Sequence, residues 1–205
     1  MNVISPRPFE RGKRGNYDTR RDEILRVAAR VFGERGFRQA TLEDVAGAMN
    51  ITRPALYHYA RSKDELIAAC AERARDELSQ AVADAQRQPN GRQQLMAFFR
   101  RYVEVTCNEF GRCFVLVNPR ELSEADQVIN RAIQRELDEA VRAMVAGGVK
   151  DGSLRMVDAG DVSRLLFGAF NGVALWFRSN GPRTPGQIAD DLLQIVLSGL
   201  DPQAA

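Results

Sequence analysis

Residues 41–63, TLEDVAGAMNITRPALYHYARSK, constrain this chain more than any other stretch, because they read as two short helices joined by a tight turn. Thr41 can cap the first helix by accepting from the backbone N–H of Asp44. Apolar residues then follow at the spacing of one buried helical face: Leu42, Val45, Ala46 and Met49. Asn50 tolerates the left-handed conformation that a tight turn requires. The pattern predicts a helix-turn-helix unit.

The second helix of the pair carries the candidate reading face. Thr52 is a second N-cap candidate, and Pro54 fits the first turn, where its missing N–H costs no helical hydrogen bond. The residues predicted to point inward are Ala55, Leu56 and Tyr59. Those predicted to lie on or near the exposed face are Thr52, Arg53, Pro54, Tyr57 and His58. This part of a recognition helix reaches base edges in the major groove, so Arg53 is predicted to read a guanine.

The same stretch resembles the TetR family of bacterial transcriptional repressors. The resemblance rests on the two capped helices, on the run Pro-Ala-Leu-Tyr-His-Tyr at 54–59 and on Lys63. It implies a three-helix N-terminal helix-turn-helix DNA-binding domain, followed by a larger helical domain for ligand binding and dimerisation. It also implies DNA contacts from Thr41, Thr52, Arg53, Pro54, Ala55, Tyr57, His58, Tyr59 and Lys63.

The sequence leaves a second function class open and disfavours a third. Capped short helices also occur in all-helical domains that never bind DNA, so a helical interaction protein stays open as an alternative. An enzyme is not expected, because the single histidine, His58, lies in the reading helix and no nucleotide loop, His-Glu-x-x-His or Cys-x-x-Cys motif occurs. A lone imidazole without a second one or a cysteine pair predicts no metal site, and no cofactor is expected.

Charge is distributed unevenly along the chain. The net charge is +2 overall, but residues 1–63 hold 13 Lys and Arg against 7 Asp and Glu, a net of +6 that leaves −4 for residues 64–205. A phosphate-facing domain joined to a domain of another kind would show this asymmetry. We therefore predict a flexible basic arm at 1–17, a DNA-binding domain at 18–63 and an effector and dimerisation domain at 64–205. The arm residues that could follow the DNA backbone are Arg7, Arg11, Lys13 and Arg14.

Helical periods dominate the whole chain and no convincing alternating pattern appears, which predicts an all-α fold. A capping sequence at Ser62 starts a long helix that would link the two domains. We predict an irregular segment at 111–119 and a long helix that ends at the glycine pair 147–148. The predicted helices span about 19–35, 42–49, 52–59, 62–85, 92–108, 124–145, 158–178 and 184–199.

The last two helices are apolar on more than one face, which predicts a homodimer. Gly168 and Gly172 form a small-x-x-x-small step that lets another helix approach closely, and two helices from each chain would pack as a four-helix bundle. The predicted interface residues are Leu166, Phe170, Val173, Leu192, Ile195 and Val196. Such a dimer would read an inverted repeat with half-sites roughly 34 Å apart or a multiple of that distance.

An aromatic cluster in the middle of the chain is usually core, but the resemblance implies an effector pocket among these helices. The predicted pocket residues are Phe98, Phe99, Tyr102, Val103, Cys107, Phe110, Phe114, Val117 and Asn171. The segment Trp176-Phe177-Arg178 with Gly181-Pro182 resembles TetR-type regulators of fatty-acid and steroid catabolism, which respond to acyl-coenzyme A thioesters. The effector is therefore expected to be a fatty acid or an acyl-coenzyme A.

The three cysteines match neither a disulfide framework nor a zinc spacing, which favours a reducing cytoplasm. Cys107 and Cys113 lie six residues apart and could pair if the segment between them is irregular, so a redox-sensing regulator stays open as an alternative. No apolar stretch reaches the roughly 18–20 residues of a membrane span, and no membrane partner is expected. The sequence predicts a cytoplasmic, dimeric repressor that an effector releases from operator DNA.

Overall fold

The computed structural model describes the backbone of residues 9–198 and the side chains of residues 17–198. Ten α-helices and one 3-10 turn at Pro119–Glu121 make up this part of the chain, in which no strand occurs, so the all-α prediction is confirmed. The helices are α1 (Phe9–Arg35), α2 (Leu42–Ala48), α3 (Arg53–Tyr57), α4 (Lys63–Gln86), α5 (Gly91–Cys107), α6 (Glu109–Leu116), α7 (Glu124–Asp151), α8 (Ala159–Asn171), α9 (Val173–Trp176) and α10 (Pro185–Ser198).

The N-terminal core is built where α1, α2, α3 and the first half of α4 meet. Phe32 and Phe37 pack edge to face with ring centroids 5.4 Å apart, and Leu56 brings α3 onto them. The same core extends along α4 to Ala74 and takes residues from α6: Phe110 and Cys113, followed by Val117. The predicted boundary between residues 63 and 64 therefore cuts through one continuous core.

The larger core surrounds α5, which packs against α4, α6, α7, α8 and α10. Its centre is aromatic: Phe99 lies 4.8 Å from Phe170 and 5.4 Å from Phe167, measured between ring centroids. The apolar stripe of α10 closes this core through Ile188, Leu193 and Leu197. No helix in the described part of the chain combines the length and apolarity that a membrane span needs.

The first helix differs from its prediction, because it begins at Phe9, ten residues earlier. Gly12 and Gly15 favoured an irregular arm, but a glycine inside a helix costs only about 1 kcal/mol relative to alanine. Residues 9–17 are thus helical, which corrects that part of the flexible arm. Of the four basic arm residues, Arg7 lies outside the described residues, and the side chains of the other three do as well.

Three further elements differ in the second domain. The segment 111–119 was expected to be irregular, but residues 109–116 form α6, whose N-terminus is capped by the Asn108 side chain accepting from the N–H of Gly111. Helix α7 runs through the glycine pair 147–148 and ends at Gly152, whose φ of 79° is left-handed. Gly148 packs closely on the loop that follows α7: a Cβ there would lie 2.6 Å from the end of the Leu154 side chain, which would have to shift. The predicted helix 158–178 is broken at Gly172 into α8 and α9.

Candidate nucleic-acid interface and effector cavity

Helix α2 is fixed by the capping box that its sequence predicted. The Thr41 hydroxyl accepts from the N–H of Asp44 at 3.1 Å, and the Asp44 carboxylate accepts from the N–H of Thr41 at 2.9 Å. These hydrogen bonds to Thr41, with the neighbouring Arg35 guanidinium, lower the pKa of the Asp44 carboxyl. The ionised carboxylate also faces the positive end of the helix. The start of α2 is therefore rigid, and the Thr41 side chain remains exposed.

The turn between α2 and α3 follows the predicted chemistry. Asn50 takes the left-handed conformation with a φ of 53°, and it is the one non-glycine residue in the described chain with positive φ. Thr52 then caps α3 by accepting from the N–H of Ala55 at 3.4 Å, and Pro54 occupies the first turn. The turn and the cap together fix the angle between α2 and α3.

The outer face of α3 consists of the predicted residues. Thr52, Arg53, Pro54, Tyr57 and His58 are exposed, while Ala55 and Tyr59 are half-buried. Leu56 points into the core and keeps only 1% of its surface exposed. Eight of the nine predicted DNA-contacting residues thus lie at the N-cap of α2 or in and next to α3. Their contacts to DNA remain a prediction.

Arg53 is held within this surface. Its guanidinium donates to the Tyr57 hydroxyl from Nε at 3.1 Å and from Nη2 at 2.7 Å, and it forms an ion pair with Glu43 of α2. It also lies 5.3 Å from the centroid of the Tyr57 ring. Sequence reasoning missed Glu43, because this residue lies at the start of α2, ten positions before Arg53, and no local pattern indicates the pair. Arg53 must exchange these partners before it can read a base.

The extended N-terminus of α1 supports the end of α3. The ring of Tyr17 stacks on that of Tyr59 at 5.0 Å, and its hydroxyl donates to the carbonyl of His58 at 3.3 Å. Tyr59 is therefore engaged in a contact that the sequence did not indicate. The shorter predicted first helix placed Tyr17 in the arm, so its partner on α3 could not be identified.

Lys63 is turned towards the protein. Its ammonium donates to the carbonyls of Phe37 at 2.6 Å, Ala40 at 3.0 Å and Arg38 at 3.4 Å, and it lies 4.5 Å from the centroid of the Phe37 ring. An ammonium has three donors, and all three have partners here. The predicted phosphate contact stays a prediction, but it would have to replace bonds that hold the loop between α1 and α2.

A cavity of about 340 Å³ opens between α5, α6, α7 and α8. Four of the predicted pocket residues line it: Tyr102, Phe114, Val117 and Asn171. The Tyr102 hydroxyl donates to the Asn171 side-chain oxygen at 2.5 Å, and burial raises the pKa of Tyr102 above its ordinary value. The remaining lining residues, which the sequence did not single out, are Val115, Pro119, Gln134, Leu137, Asp138, Arg164 and Phe167.

The other five predicted pocket residues do not line this cavity. Phe98, Phe99 and Val103 have no exposed surface and form the core behind its wall. Phe110 packs into the N-terminal core, and Cys107 lines a different cavity. Helical periodicity identifies which residues of a helix are apolar and buried. It does not distinguish those that line a cavity from those that pack in the core behind it.

A charged cluster lies at one side of the cavity. Asp138 accepts from the Ser163 hydroxyl at 2.5 Å and from the Arg142 guanidinium at 2.6 Å. Burial opposes the shift, but these hydrogen bonds and the positive charges of Arg142 and Arg164 lower the pKa of the Asp138 carboxyl. The cavity is therefore apolar on the α5 and α6 side and ionic towards α7 and α8.

The three thiols are free and are held in their protonated form. Burial raises the pKa of Cys107 to about 11 and that of Cys113 to about 12, and it raises the pKa of Cys70 well above its usual range. The thiolate is the reactive species, so these thiols are poor nucleophiles at neutral pH. Between Cys107 and Cys113, Asn108 is extended and residues 109–112 belong to α6, so the irregular part is confined to one residue and the redox alternative stays a prediction.

The predicted dimer face is partly corrected. Leu166, Phe170 and Val173 have no exposed surface within a single chain, so they have none to offer a partner. Leu192 and Val196 are half-buried, and Ile195 is 73% exposed. The neighbouring exposed apolar side chains were missed: Leu165, Leu175 and Trp176. The dimer itself stays a prediction, and on α8 the exposed apolar residue is Leu165 rather than the predicted Leu166.

Comparison with known proteins gives a consistent result over both halves of the chain. A family model described as "Bacterial regulatory proteins, tetR family" matches residues 24–70, and one described as "Tetracyclin repressor-like, C-terminal domain" matches residues 88–200. The HTH-type transcriptional repressor KstR2 of Mycobacterium tuberculosis is 28% identical over 91% of this chain and 95% of its own length.

Solved structures agree with this result. The ketosteroid transcriptional regulator KstR2 of Mycobacterium tuberculosis superposes with a TM-score of 0.82 at 25% identity, over 90% of this chain and 96% of its own. AibR in complex with isovaleryl coenzyme A and operator DNA superposes with a TM-score of 0.76 at 21% identity, over 90% and 100% of the two chains. At that identity the second likeness concerns the fold alone.

Proposed function

Because this chain belongs to the TetR family of bacterial regulatory proteins, we propose that it represses transcription by binding an inverted-repeat operator as a homodimer and that a small apolar effector releases it. The similarity to the repressor KstR2 over nearly its full length supports the repressor assignment. Operator DNA lies in the bacterial cytoplasm, which is where we place the protein.

The observation that carries the proposal is the position of α6. Phe114 of this helix lines the cavity and also packs against the N-terminal core, to which Phe110 and Cys113 of the same helix belong. A ligand that displaces Phe114 must therefore move a helix that packs directly on α1 and α4. Coupling between the sites requires the effector to bind the DNA-incompetent arrangement more tightly, by about 1–3 kcal/mol or more.

The proposed DNA surface consists of Thr41, Thr52, Arg53, Pro54, Ala55, Tyr57, His58 and Tyr59. Arg53 would read a guanine through a bidentate contact after leaving Tyr57 and Glu43. Lys63 would hold the α1–α2 loop in place behind this surface, because its donors are already used there.

The size of the cavity limits the effector. At about 340 Å³ it lies at the lower end of the range for small-molecule sites, so an acyl group fits but a whole acyl-coenzyme A does not. A thioester would place its acyl chain between Phe114 and Phe167 and leave its nucleotide outside. Arg164 and the exposed Arg120 stand on the side where an anionic head group would emerge.

The proposed dimer packs α8, α9 and α10 against the same helices of a second copy. The exposed apolar residues on these helices are Leu165, Leu175, Trp176 and Ile195, with 57%, 71%, 48% and 73% of their surfaces accessible. Gly168 is exposed and a Cβ there would meet nothing within 4 Å, which leaves room for a partner helix. Leu192 and Val196 would contribute their exposed edges.

A gel shift with the protein's own upstream DNA tests the proposal, with and without acyl-coenzyme A thioesters and free fatty acids. We expect a specific complex that one of these ligands dissolves. Leu137→Trp fills the cavity and should keep operator binding while abolishing release; Met156→Trp, at a position 82% exposed and outside the cavity lining, is the matched control. Absence of any specific complex, or release that Leu137→Trp leaves intact, would contradict the proposal.

A further inference from the structure

We propose that a second cavity, between the DNA-binding unit and the effector domain, binds a small anion that carries a carboxylate or a phosphate. This cavity measures about 210 Å³ and is separate from the proposed effector cavity. Its walls come from both units: Arg30 and Gly33 of α1, the α5–α6 junction from Cys107 to Arg112, and Phe177 after α9.

The main observation is a buried guanidinium nitrogen without a hydrogen-bond partner. The Nε of Arg112 is buried and has no hydrogen-bond partner among the described residues. A buried donor without a partner costs roughly 1–3 kcal/mol, and more when the group is charged, so native structures rarely keep one. Guanidinium presents its donors as a planar fork that matches a carboxylate or a phosphate. An anion in the cavity would satisfy this group.

Arg30 supplies the second positive charge on this cavity. It comes from α1, and within the described chain no carboxylate pairs with it. The two arginines therefore approach the cavity from different units. An anion bound to both arginines would link α1 to α6 by hydrogen bonds and ion pairs. The apolar core would not have to change.

The two acidic residues that line the cavity, Glu34 and Glu109, are both exposed, and neither accepts from the buried Nε of Arg112. Glu109 faces the Arg26 guanidinium at 3.8 Å. Asn108 is also occupied, because its amide donates to Glu77 at 2.9 Å and its oxygen accepts from Gly111. Among the described residues that line this cavity, the Nε of Arg112 is the one buried side-chain nitrogen or oxygen left without a partner.

Size restricts the ligand further. At roughly 30 Å³ for each water molecule in the liquid, the cavity has room for about seven waters. This suits inorganic phosphate, a small diacid or a phosphate monoester, and it excludes a nucleotide or a long acyl chain. The cavity thus differs from the effector cavity in both charge and size.

Cys107 provides a reporter in the wall of this cavity. It is half-buried, whereas Cys70 and Cys113 are buried in the core, so mass spectrometry can follow its alkylation separately. The experiment measures the rate of iodoacetamide modification at pH 9 with inorganic phosphate or succinate added at constant ionic strength. At ten times Kd, an occupied site should slow the reaction about tenfold.

Protection by phosphate alone, by succinate alone or by both supports the site and identifies the anion class. Arg112→Gln and, independently, the surface variant Arg30→Gln should reduce the protection; Arg101→Gln, an exposed arginine on α5 outside the cavity, should not. Equal rates with and without both anions would overturn the proposal, as would protection that persists in Arg112→Gln and Arg30→Gln. This experiment follows the alkylation of Cys107, whereas the effector proposal is tested by the gel shift with Leu137→Trp. The failure of one proposal therefore leaves the other untouched.

Discussion

Replacing Lys63 with methionine tests whether this residue acts on DNA or on the protein. The substitution keeps most of the aliphatic stem but removes the ammonium that donates to Phe37 and Ala40 at 2.6 and 3.0 Å. Hydrogen bonds to a charged group contribute about 1.5–3 kcal/mol, and the contact with the Phe37 ring adds about 0.5–1 kcal/mol. We expect a loss of about 2–3 kcal/mol, which corresponds to roughly 4–12 °C in Tm for a chain of this size.

The assay pairs thermal unfolding with operator binding measured by fluorescence anisotropy at several salt concentrations, below the Tm of the variant. A phosphate contact contributes about 0.9 to the slope of log K against log salt, and we expect Lys63→Met to leave that slope unchanged. Arg61→Ala, at an exposed neighbouring position, controls for stability. A slope reduced by about one with an unaltered Tm would refute the assignment of Lys63 to the α1–α2 loop.

Three other substitutions test separate parts of the structure. Glu43→Gln releases Arg53 from an exposed ion pair that contributes about 0.2–1 kcal/mol. A titration with operator DNA should therefore show an affinity about 1.4–5-fold higher. An equal gain in an Arg53→Ala background would contradict the coupling between the two residues. Gly91→Ala places a Cβ 2.2 Å from the backbone of α7, so the variant should be unfolded in a thermal melt. Gly47→Ala, whose new Cβ would have no atom within 4 Å, should remain folded. Trp176→Asp should yield folded monomers by sedimentation, and a persistent dimer would exclude this face.

The helix-turn-helix unit could be predicted from the sequence because its determinants are local. Capping by Thr41 and Thr52, the left-handed Asn50 and the proline in the first turn of α3 each depend on neighbours within four residues. Such short-range chemistry is written directly in the order of the residues.

The remaining features depend on contacts between distant residues. Nothing near Gly148 in the sequence indicates that Gly91 packs against it, and by local pattern alone the glycine pair 147–148 predicts a helix end. Leu165 and Leu166 are chemically alike, yet one is 57% exposed and the other fully buried, because their helix is rotated by its packing on α7. Periodicity gave the helices of the second domain but not the direction in which each apolar residue points.

The shared N-terminal core affects how this protein can be recombined with its relatives. A chimera joined at the start of α4 would keep the reading helices of one regulator and replace the α6 residues that complete their core, Phe110 and Cys113. Such a chimera could carry every base-reading residue of the donor and still be unstable, because its N-terminal core would be completed by the α6 residues of another protein. Exchange of single residues on the outer face of α3 avoids this conflict, so operator specificity in this chain can diverge fastest by point substitution.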